Sequence, residues 1–453
     1  MTRKSRTQRR LPSVILALLL AGCLPGTTAR AAEKLSERDR VTLTAKLRSK
    51  QVDSRLDAIK KLAQFPEPDA AKLLLKFALR DTSDQVRRAG YMALVGFKDQ
   101  AAVCDLLVEQ LNRQAKQLRP DPSTPLLLCV LLSSELPDVQ KSSLRYVNDK
   151  LAPARDGPLF VIALADMLAL RHESVDVAPL KRLAASKPMK NFAVRRSIVR
   201  ALAQIDDPQA IDTLVGLLPE IDGEARADAI EYLALVTKQQ LAEPADWQDW
   251  WAKNKATFQF PALFERPRTR AYENLIYGRA STYYGLPLYG RRIVFIIDSS
   301  GSMEGARIVA AKRELASAIE ALKDNVSFGI VVFNSRVVVW KRELVDAVSS
   351  NKQEALRFVE KIGANDQTAT YDALAAAFLV DAEAIYLLTD GAPSMGRFVQ
   401  PDDIVRAISD QNRTRRESIY TIGIGPGEVG SPFEQFLESL AQQNFGLYRR
   451  VDE

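Results

Sequence analysis

An arginine-marked helical pattern recurs four times between residues 33 and 262. In each copy, apolar residues follow the arginine at three- and four-residue spacing, which places them on one face of a helix. The arginines lie 32 positions apart in the first pair of copies and 31 apart in the second. One pair of helices fits this period, and a pair that cannot bury its apolar face alone must stack on its neighbours. The four positions are Arg55, Arg87, Arg195 and Arg226.

Turn signals such as Asp206-Asp207-Pro208 separate the two helices of a pair. With these turns, residues 33–262 resemble HEAT repeats, and the resemblance implies an all-α stack whose broad surface can hold a protein partner. A weaker copy starts at Val139, but the segment 114–190 otherwise departs from the pattern, so the number of repeats there stays open. We expect the repeated arginines to be structural and to bond turn carbonyls or neighbouring acids.

An aromatic stripe marks the last helix of this region. Trp247, Trp250, Trp251, Asn254 and Phe258 share one helical face. We expect this face to pack in the core, as aromatic stripes usually do. The alternative is a surface that stacks on carbohydrate, which would make the chain a polysaccharide-binding protein.

The first 22 residues predict an export signal. Basic residues precede an apolar run at 14–21 that is too short to span a bilayer. The run ends in Leu20-Ala21-Gly22-Cys23, which resembles the lipobox of bacterial lipoproteins and implies a lipid on Cys23. A rival site of the A-x-A form lies before Ala32 and would give a simply secreted protein. We therefore expect an exported protein that is lipid-anchored at the cell envelope or periplasmic, or is otherwise secreted.

The formal charge of +7 lies mostly in this signal. Removal of residues 1–22, with their five basic side chains, leaves a net charge of +2. A near-neutral mature protein offers no electrostatic reason to expect binding to nucleic acid.

Two cysteines follow the signal, Cys104 and Cys129, and each lies in an apolar helical run. We expect two buried free thiols. A disulfide between them is compatible with an exported compartment and stays open.

Residues 291–453 alternate between strands and helices, which predicts a mostly parallel sheet covered on both faces. The run 337–340 follows a tight turn and is expected to form an antiparallel edge strand. The segment 263–290 has no period, and we interpret it as a linker whose tyrosines pack on one of the domains. The predicted strands are 292–297, 327–333, 337–340, 384–388, 418–424 and 447–451, and the predicted helices are 305–322, 352–362, 371–380, 401–411 and 432–443.

The first strand of this block runs into Asp298-Ser299-Ser300-Gly301-Ser302, a D-x-S-x-S turn. Two further motifs accompany it: Thr368 shortly before Tyr371-Asp372-Ala373-Leu374, and Leu387-Leu388-Thr389-Asp390-Gly391 at the end of a later strand. Together they resemble the von Willebrand factor type A (VWA) domain, over essentially all of 291–453. The resemblance implies a Rossmann-like, doubly wound α/β fold after the repeats.

The resemblance also implies a metal-ion-dependent adhesion site beyond the carboxyl ends of the strands, where open α/β sheets bind ligands. Ser300 and Ser302 would coordinate through their hydroxyls, and Thr368 directly or through water. Asp298 and Asp390 would act mostly through water. Such an oxygen set suits Mg²⁺, and Mn²⁺ and Ca²⁺ are compatible with it. An open position could then take an Asp or Glu carboxylate from a protein partner.

One position departs from the family pattern. The family usually has glycines before the threonine, whereas this chain has Asp366 and Gln367. Asp366 either adds negative charge near the ion or points to solvent, and we expect the solvated arrangement.

We expect no enzymatic activity. The single histidine, His172, lies in the repeat region, so no nucleophile with a histidine base can be built near the sheet. The lysine of a phosphate-binding loop is also missing. The predicted function is metal-dependent protein binding, as an adhesion or scaffold protein of the bacterial cell envelope, with a second partner on the repeats. Two alternatives stay open: a regulatory or assembly subunit of a larger enzyme complex, and a polysaccharide-binding envelope protein.

Overall fold

The computed structural model describes residues 34–114, 123–154, 157–262 and 281–452. The predicted signal peptide, Cys23 and the rival cleavage site before Ala32 lie outside these ranges. The chain divides into two compact units, Met1–Gly96 and Phe97–Glu453, and each is considered by itself. Within the described ranges, none of the helices combines the length and the apolar character that crossing a bilayer requires.

The described part of the first unit is all helical. The helix α1 starts after Ser36, whose side chain accepts a hydrogen bond from the Asp39 backbone N–H and so caps the helix. Each of three helices buries a leucine where the helices pack, namely Leu43, Leu62 and Leu94. The helices are α1 (Glu37–Leu47), α2 (Val52–Leu62), α3 (Pro68–Leu73) and α4 (Asp84–Val95).

Further helices fill the first half of the second unit. The predicted turn at 206–208 is present, since Asp207 accepts a hydrogen bond from the Gln209 N–H and Pro208 opens the next helix. The segment 114–190, whose repeat count was open, is mostly helical where it is described. The helices are α5 (Ala101–Gln114), α6 (Thr124–Ser133), α7 (Pro137–Tyr146), α8 (Gly157–Ala169), α9 (Val177–Ala184), α10 (Phe192–Leu202), α11 (Pro208–Leu217), α12 (Gly223–Thr237) and α13 (Pro244–Asn254).

The four repeated arginines are structural, as predicted. Three of them donate to the carbonyl of a residue five or six positions earlier, so each ties its helix to the preceding turn. The fourth forms an ion pair with the acid that directly precedes α12, two helices further along the chain. The contacts are Arg55 to Ser49 at 2.9 Å, Arg87 to Asp81 at 2.5 Å, Arg226 to Ile221 at 2.6 Å, and Arg195 to Asp222 at 3.6 Å.

The aromatic stripe on α13 is mainly a core face, as expected. Trp247 and Trp251 are buried. Their indole N–H groups donate to the Leu241 carbonyl at 2.8 Å and to the Asp212 carboxylate at 3.2 Å. Trp250, Asn254 and Phe258 are half-buried, and Phe258 lies beyond the end of the helix at Asn254, so it does not continue the predicted helical face. With two indoles inside the fold, this face serves mainly for packing.

Both cysteines of the second unit are buried free thiols, as expected. Burial raises the pKa of each thiol, because the thiolate would lose its hydration.

A mixed sheet forms the core of the second half of this unit, in the order β5-β4-β3-β7-β8-β9, with β6 also paired to β4. The pairs β3–β4, β3–β7, β7–β8 and β8–β9 are parallel. The strand β5 is the predicted antiparallel edge strand. The strands are β3 (Arg292–Asp298), β4 (Ser327–Phe333), β5 (Val337–Val339), β6 (Val345–Asp346), β7 (Ala384–Thr389), β8 (Ser418–Ile424) and β9 (Tyr448–Val451).

Helices cover both faces of this sheet. Alternate residues of β3 point to opposite sides, so Phe295 belongs to one core and Ile296 to the other. The helices α14 (Ala306–Ala321) and α15 (Ser349–Glu360) cover the first face. The second is covered by α16 (Thr370–Ala377), α17 (Pro401–Asn412) and α18 (Pro432–Gln443). The fold class is therefore the predicted one, all-α repeats followed by a doubly wound α/β domain.

The tyrosine-rich segment before β3 packs on the sheet where it is described. A short hairpin joins β1 (Thr282–Tyr283) to β2 (Leu286–Pro287). Tyr283 is fully buried, and its ring lies 5.3 Å from that of Phe295. The rest of the segment we interpret as a linker, 263–280, lies outside the described residues.

The repeats contact the amino ends of the parallel strands. The carboxylate of Glu224 on α12 accepts hydrogen bonds from the hydroxyls of Ser418 at 2.8 Å and Tyr420 at 3.0 Å, both on β8. Arg196 on α10 is fully buried, and it bonds Asp228 at 2.7 Å. These contacts join α10 and α12 to one end of the sheet and leave the opposite end, where the predicted site residues lie, free of them.

Candidate metal centre

The site is built on the turn that follows β3. Asp298 ends the strand, is fully buried, and accepts a hydrogen bond from the Ser300 backbone N–H at 2.8 Å. A short 3₁₀ turn, Gly301–Met303, then leads into α14. Gly305 precedes that helix with φ of 88°, a conformation that favours glycine. The carboxylate of Asp298 thus holds the turn in shape from below.

Side chains from two strand ends meet above this turn. The hydroxyls of Ser300 and Ser302 lie 3.1 Å apart, and Ser302 donates to Asp390 Oδ1 at 2.7 Å. Asp390 follows β7, which pairs with β3 in parallel, so the two strands end at the same edge of the sheet. We call Asp298, Ser300, Ser302 and Asp390 the hydroxyl–carboxylate cluster.

Thr368 reaches the same edge through its loop. The Gly301 N–H donates to the Asp366 carbonyl at 2.9 Å, and the Asn365 N–H donates to the Ser299 carbonyl at 2.9 Å. These two bonds join the loop to the turn after β3. Thr368 itself is buried and is held by backbone bonds to Ser394. The structure therefore brings four of the predicted ligands into one hydrogen-bonded cluster. The fifth, Thr368, lies on a loop that backbone hydrogen bonds join to the same turn.

Asp366 adopts a left-handed backbone conformation. Its φ is 65°, in the left-handed region, which aspartate tolerates better than most residues do. Its backbone carbonyl faces Gly301, while the residue is exposed. The solvated arrangement expected for Asp366 is the one observed.

Two residues of the site were not identified from the sequence. Thr389 donates to Asp298 Oδ2 at 2.5 Å, and Arg307 contacts Asp390 Oδ2 at 2.8 Å. Thr389 belongs to the motif Leu387–Gly391 at the end of β7, and this place in the motif is the signal that could have identified it. Arg307 lies in the first turn of α14, five residues after Ser302, and nothing in the sequence distinguishes it from the other basic residues of that helix.

Two buried carboxylates, those of Asp298 and Asp390, belong to the cluster. Burial raises the pKa of Asp298 to about 6, although hydrogen bonds from Thr389 and Ser300 lower it and the charge of Asp390 raises it. Among the described residues, no three His, Cys, Asp or Glu side chains come together as metal ligands. An ion at this edge would therefore depend on hydroxyls with two acids. That oxygen-only set fits a hard cation such as Mg²⁺, which usually retains several waters.

Comparison with protein families gives two matches. Residues 291–450 match the model of the von Willebrand factor type A domain. Residues 41–121 and 158–234 match the model of HEAT repeats. The stretch left between the two repeat matches lies within the segment 114–190, where the repeated pattern is weak in the sequence.

Curated relatives match a little over a third of the chain. Inter-alpha-trypsin inhibitor heavy chain H4 from Homo sapiens is 33% identical over 186 residues, which are 37% of this chain and 19% of the relative. Heavy chain H3 from Bos taurus is 31% identical over 182 residues, 37% of this chain and 20% of the relative. The chain therefore spans about a fifth of the length of these relatives.

A solved structure, the von Willebrand factor type A protein from Catenulispora acidiphila, is 25% identical with a TM-score of 0.32 and covers 37% of this chain and 40% of its own. The family matches, together with the observed fold, show that this chain carries HEAT-like repeats followed by a C-terminal von Willebrand factor type A domain at residues 291–450.

Proposed function

We propose that the chain is a non-enzymatic protein-binding protein of the bacterial cell envelope whose VWA domain binds its partner through a divalent metal ion. The observation that carries the proposal is the hydroxyl–carboxylate cluster. In it, the Ser300 hydroxyl lies 3.1 Å from the Ser302 hydroxyl, which lies 2.7 Å from the Asp390 carboxylate. An adhesion or scaffold role fits such a site, because it can hold a partner without a nucleophile or a general base.

Each ligand residue has a distinct part in this proposal. Ser300 and Ser302 would hold Mg²⁺ through their hydroxyls, with Thr368 at the side of the site and Asp390 across from the serines. Asp298 is fully buried beneath the turn and orients Ser300 through its backbone N–H. Mg²⁺, or Mn²⁺ or Ca²⁺ in its place, would supply the charge that takes an Asp or Glu carboxylate of the partner.

Arg307 supports an acidic partner. Its side chain is about one-third exposed, at 31%, while the Asp390 carboxylate that it contacts is fully buried. The guanidinium therefore presents positive charge at the edge of the cluster. A carboxylate that approaches the ion would find a second favourable charge beside it.

The remaining parts of the proposal follow from the sequence. The export signal and Cys23 would place the chain at the envelope, tethered through a lipid or in the periplasm, or otherwise secreted. The stack of repeats would offer a second surface for another protein. A cytosolic regulatory subunit of an enzyme complex fits the export signal less well.

Affinity capture tests the proposal directly. The immobilised wild-type chain and the Ser300→Ala/Ser302→Ala double variant are exposed to envelope extract in Mg²⁺ or in EDTA. We expect proteins that only the wild type retains, and only with Mg²⁺. The double variant Ser349→Ala/Ser350→Ala, at two exposed serines of α15, is the matched control and should behave as the wild type. Retention of the same proteins in EDTA would refute metal-dependent binding.

A further inference from the structure

The net charge of the mature chain is near neutral, but the basic and acidic residues are distributed unevenly along it. Residues 34–96 contain 14 Lys and Arg but only 8 Asp and Glu, a net charge of +6. Residues 97–453 contain 43 Lys and Arg against 47 Asp and Glu, a net charge of −4. A charge asymmetry of this kind indicates an anionic partner for the basic part, since the excess is not needed to balance acids of the same unit.

Part of this excess is concentrated at one edge of the first unit. The Arg48 guanidinium lies 5.5 Å from the centre of the Phe77 ring, and the Lys76 ammonium lies 5.3 Å from the same centre. Lys50 belongs to the same turn as Arg48. The three basic residues are exposed and Phe77 is half-buried. We call Arg48, Lys50, Lys76 and Phe77 the basic edge.

Asp81, five residues after Lys76, does not neutralise the basic edge. Asp81 forms an ion pair with Arg55 at 2.8 Å, and both side chains are about nine-tenths buried, at 10% and 11% exposure. Arg55 also donates to the carbonyls of Ser49 and Lys50, so this pair lies under the turn that carries the basic edge. Asp53, two residues into α2, is the nearest exposed acid along the chain. The carboxylate of Asp81 is therefore paired with Arg55 and does not balance the exposed cations of the basic edge.

Apolar side chains accompany these charges. The half-buried ring of Phe77 contacts two cations. On α1, Val41 is 64% exposed. Val41 lies seven positions before Arg48, so the two share one side of the helix. Basic side chains that surround a half-buried aromatic ring and an exposed valine match the interfacial zone of an anionic membrane, where charges meet headgroups and apolar groups enter the acyl boundary.

We propose that the basic edge docks on a phospholipid surface that contains anionic headgroups. The envelope location in the proposed function supplies the tether, whereas the charge and shape of the basic edge do not depend on it. Lys34 lies eleven positions after Cys23, and a chain of that length can span at most about 40 Å. A lipid on Cys23 would thus keep the first unit within reach of the bilayer.

Vesicle flotation tests this proposal with the chain from residue 32 onward, which lacks the apolar run and Cys23 but contains every described residue. The vesicles are phosphatidylcholine with or without phosphatidylglycerol. We expect binding only with phosphatidylglycerol, weakened by added salt. The triple variant Arg48→Glu/Lys50→Glu/Lys76→Glu should bind roughly tenfold more weakly or not at all. Circular dichroism and thermal unfolding verify that the variant is folded.

The matched control changes three exposed lysines of the second unit, as Lys253→Glu/Lys323→Glu/Lys361→Glu. It carries the same change in net charge and should bind vesicles as the unaltered chain does. Equal loss in both triple variants would overturn the basic edge as the docking surface, as would absence of binding to phosphatidylglycerol. If the chain bound duplex DNA at least as tightly as it binds vesicles, the proposal that a phospholipid surface is the partner would be wrong. The Ser300→Ala/Ser302→Ala variant should keep its vesicle binding, so failure of the metal site and failure of the basic edge can be told apart.

Discussion

The buried guanidinium of Arg196 donates a hydrogen bond of 2.7 Å to the backbone carbonyl of Arg416. One residue belongs to the repeats and the other lies just before β8. The same guanidinium contacts Asp228 at 2.7 Å and Glu224 at 3.7 Å, so a single side chain links two helices of the stack to the α/β domain.

Replacement of Arg196 should be strongly destabilising. Arg196→Met would leave the Asp228 carboxylate buried without its main partner, at a cost of about 3–5 kcal/mol in the free energy of unfolding. Chemical denaturation measures this difference. Arg200 also contacts Asp228, at 3.3 Å, but is 39% exposed, so Arg200→Met should cost less than about 1 kcal/mol. Similar effects of the two variants would show that Arg196 does not link the repeats to the sheet as described.

Glu224 should make the stability depend on pH. Burial raises its pKa to about 7 from 4.5, more than the nearby Arg196 lowers it. Between pH 4.5 and pH 7, Glu224 is therefore protonated in the folded state and ionised in the unfolded state. The free energy of unfolding falls as the pH rises through this window. At pH 8, Glu224→Gln should be more stable than the wild type by roughly 1–2 kcal/mol.

Thermal unfolding at pH 5 and pH 8 measures this effect. The wild type should lose more stability between the two pH values than Glu224→Gln. Some dependence should persist in the variant, because burial also raises the pKa of Glu417 to about 7. An identical pH profile in the two proteins would contradict the assignment to Glu224.

Mg²⁺ should stabilise the folded chain if the hydroxyl–carboxylate cluster holds it. At a concentration one hundred times the dissociation constant, a ligand adds about 2.7 kcal/mol to the free energy of unfolding. The melting temperature in Mg²⁺ should therefore exceed that in EDTA for the wild type, and Asp298→Ala should remove the difference. Equal melting curves of the wild type in Mg²⁺ and EDTA would argue against a metal site.

Arg307 should weaken metal binding, because its charge lies beside Asp390 and repels a cation. Arg307→Gln should therefore bind Mg²⁺ roughly threefold to tenfold more tightly in a calorimetric titration, a modest effect for a partly exposed charge. Arg313, on the same helix, provides a control, since Arg313→Gln should leave the affinity unchanged. Weaker binding by Arg307→Gln would mean that the guanidinium is needed to position Asp390.

Cys23 should decide the membrane attachment. Cys23→Ser removes the thiol that would receive the lipid, and the protein should move from the membrane pellet to the soluble fraction when the membranes are washed with high salt, which weakens any binding through the basic edge. Immunoblots of both fractions measure the change. A Cys104→Ser variant controls for the loss of a thiol and should stay in the pellet. Membrane retention of Cys23→Ser at the level of the wild type would contradict the lipid anchor.

Much of the fold could be predicted from periodicity. The strands 327–333 and 418–424 and the helix 432–443 have their predicted bounds, because an apolar run or stripe bounded by turn residues leaves little choice of register. The two-residue β6 at Val345–Asp346 was not predicted, since it is too short to show a period. The exposed Asp366 was anticipated, but its left-handed φ became clear only from the loop that it closes.

The two fold types, their order and the motifs that end β3 and β7 could be predicted from the chain alone, because they depend on local spacing and on the alternation of apolar residues. The side chains beside those motifs, and the place where the repeats join the sheet, became clear only from the packing of the folded protein. Arg307 and Asp390 are 83 positions apart, and Arg196 and Arg416 are 220 apart. No local pattern encodes such pairs, since they form only when the packing of helices and strands brings distant segments together.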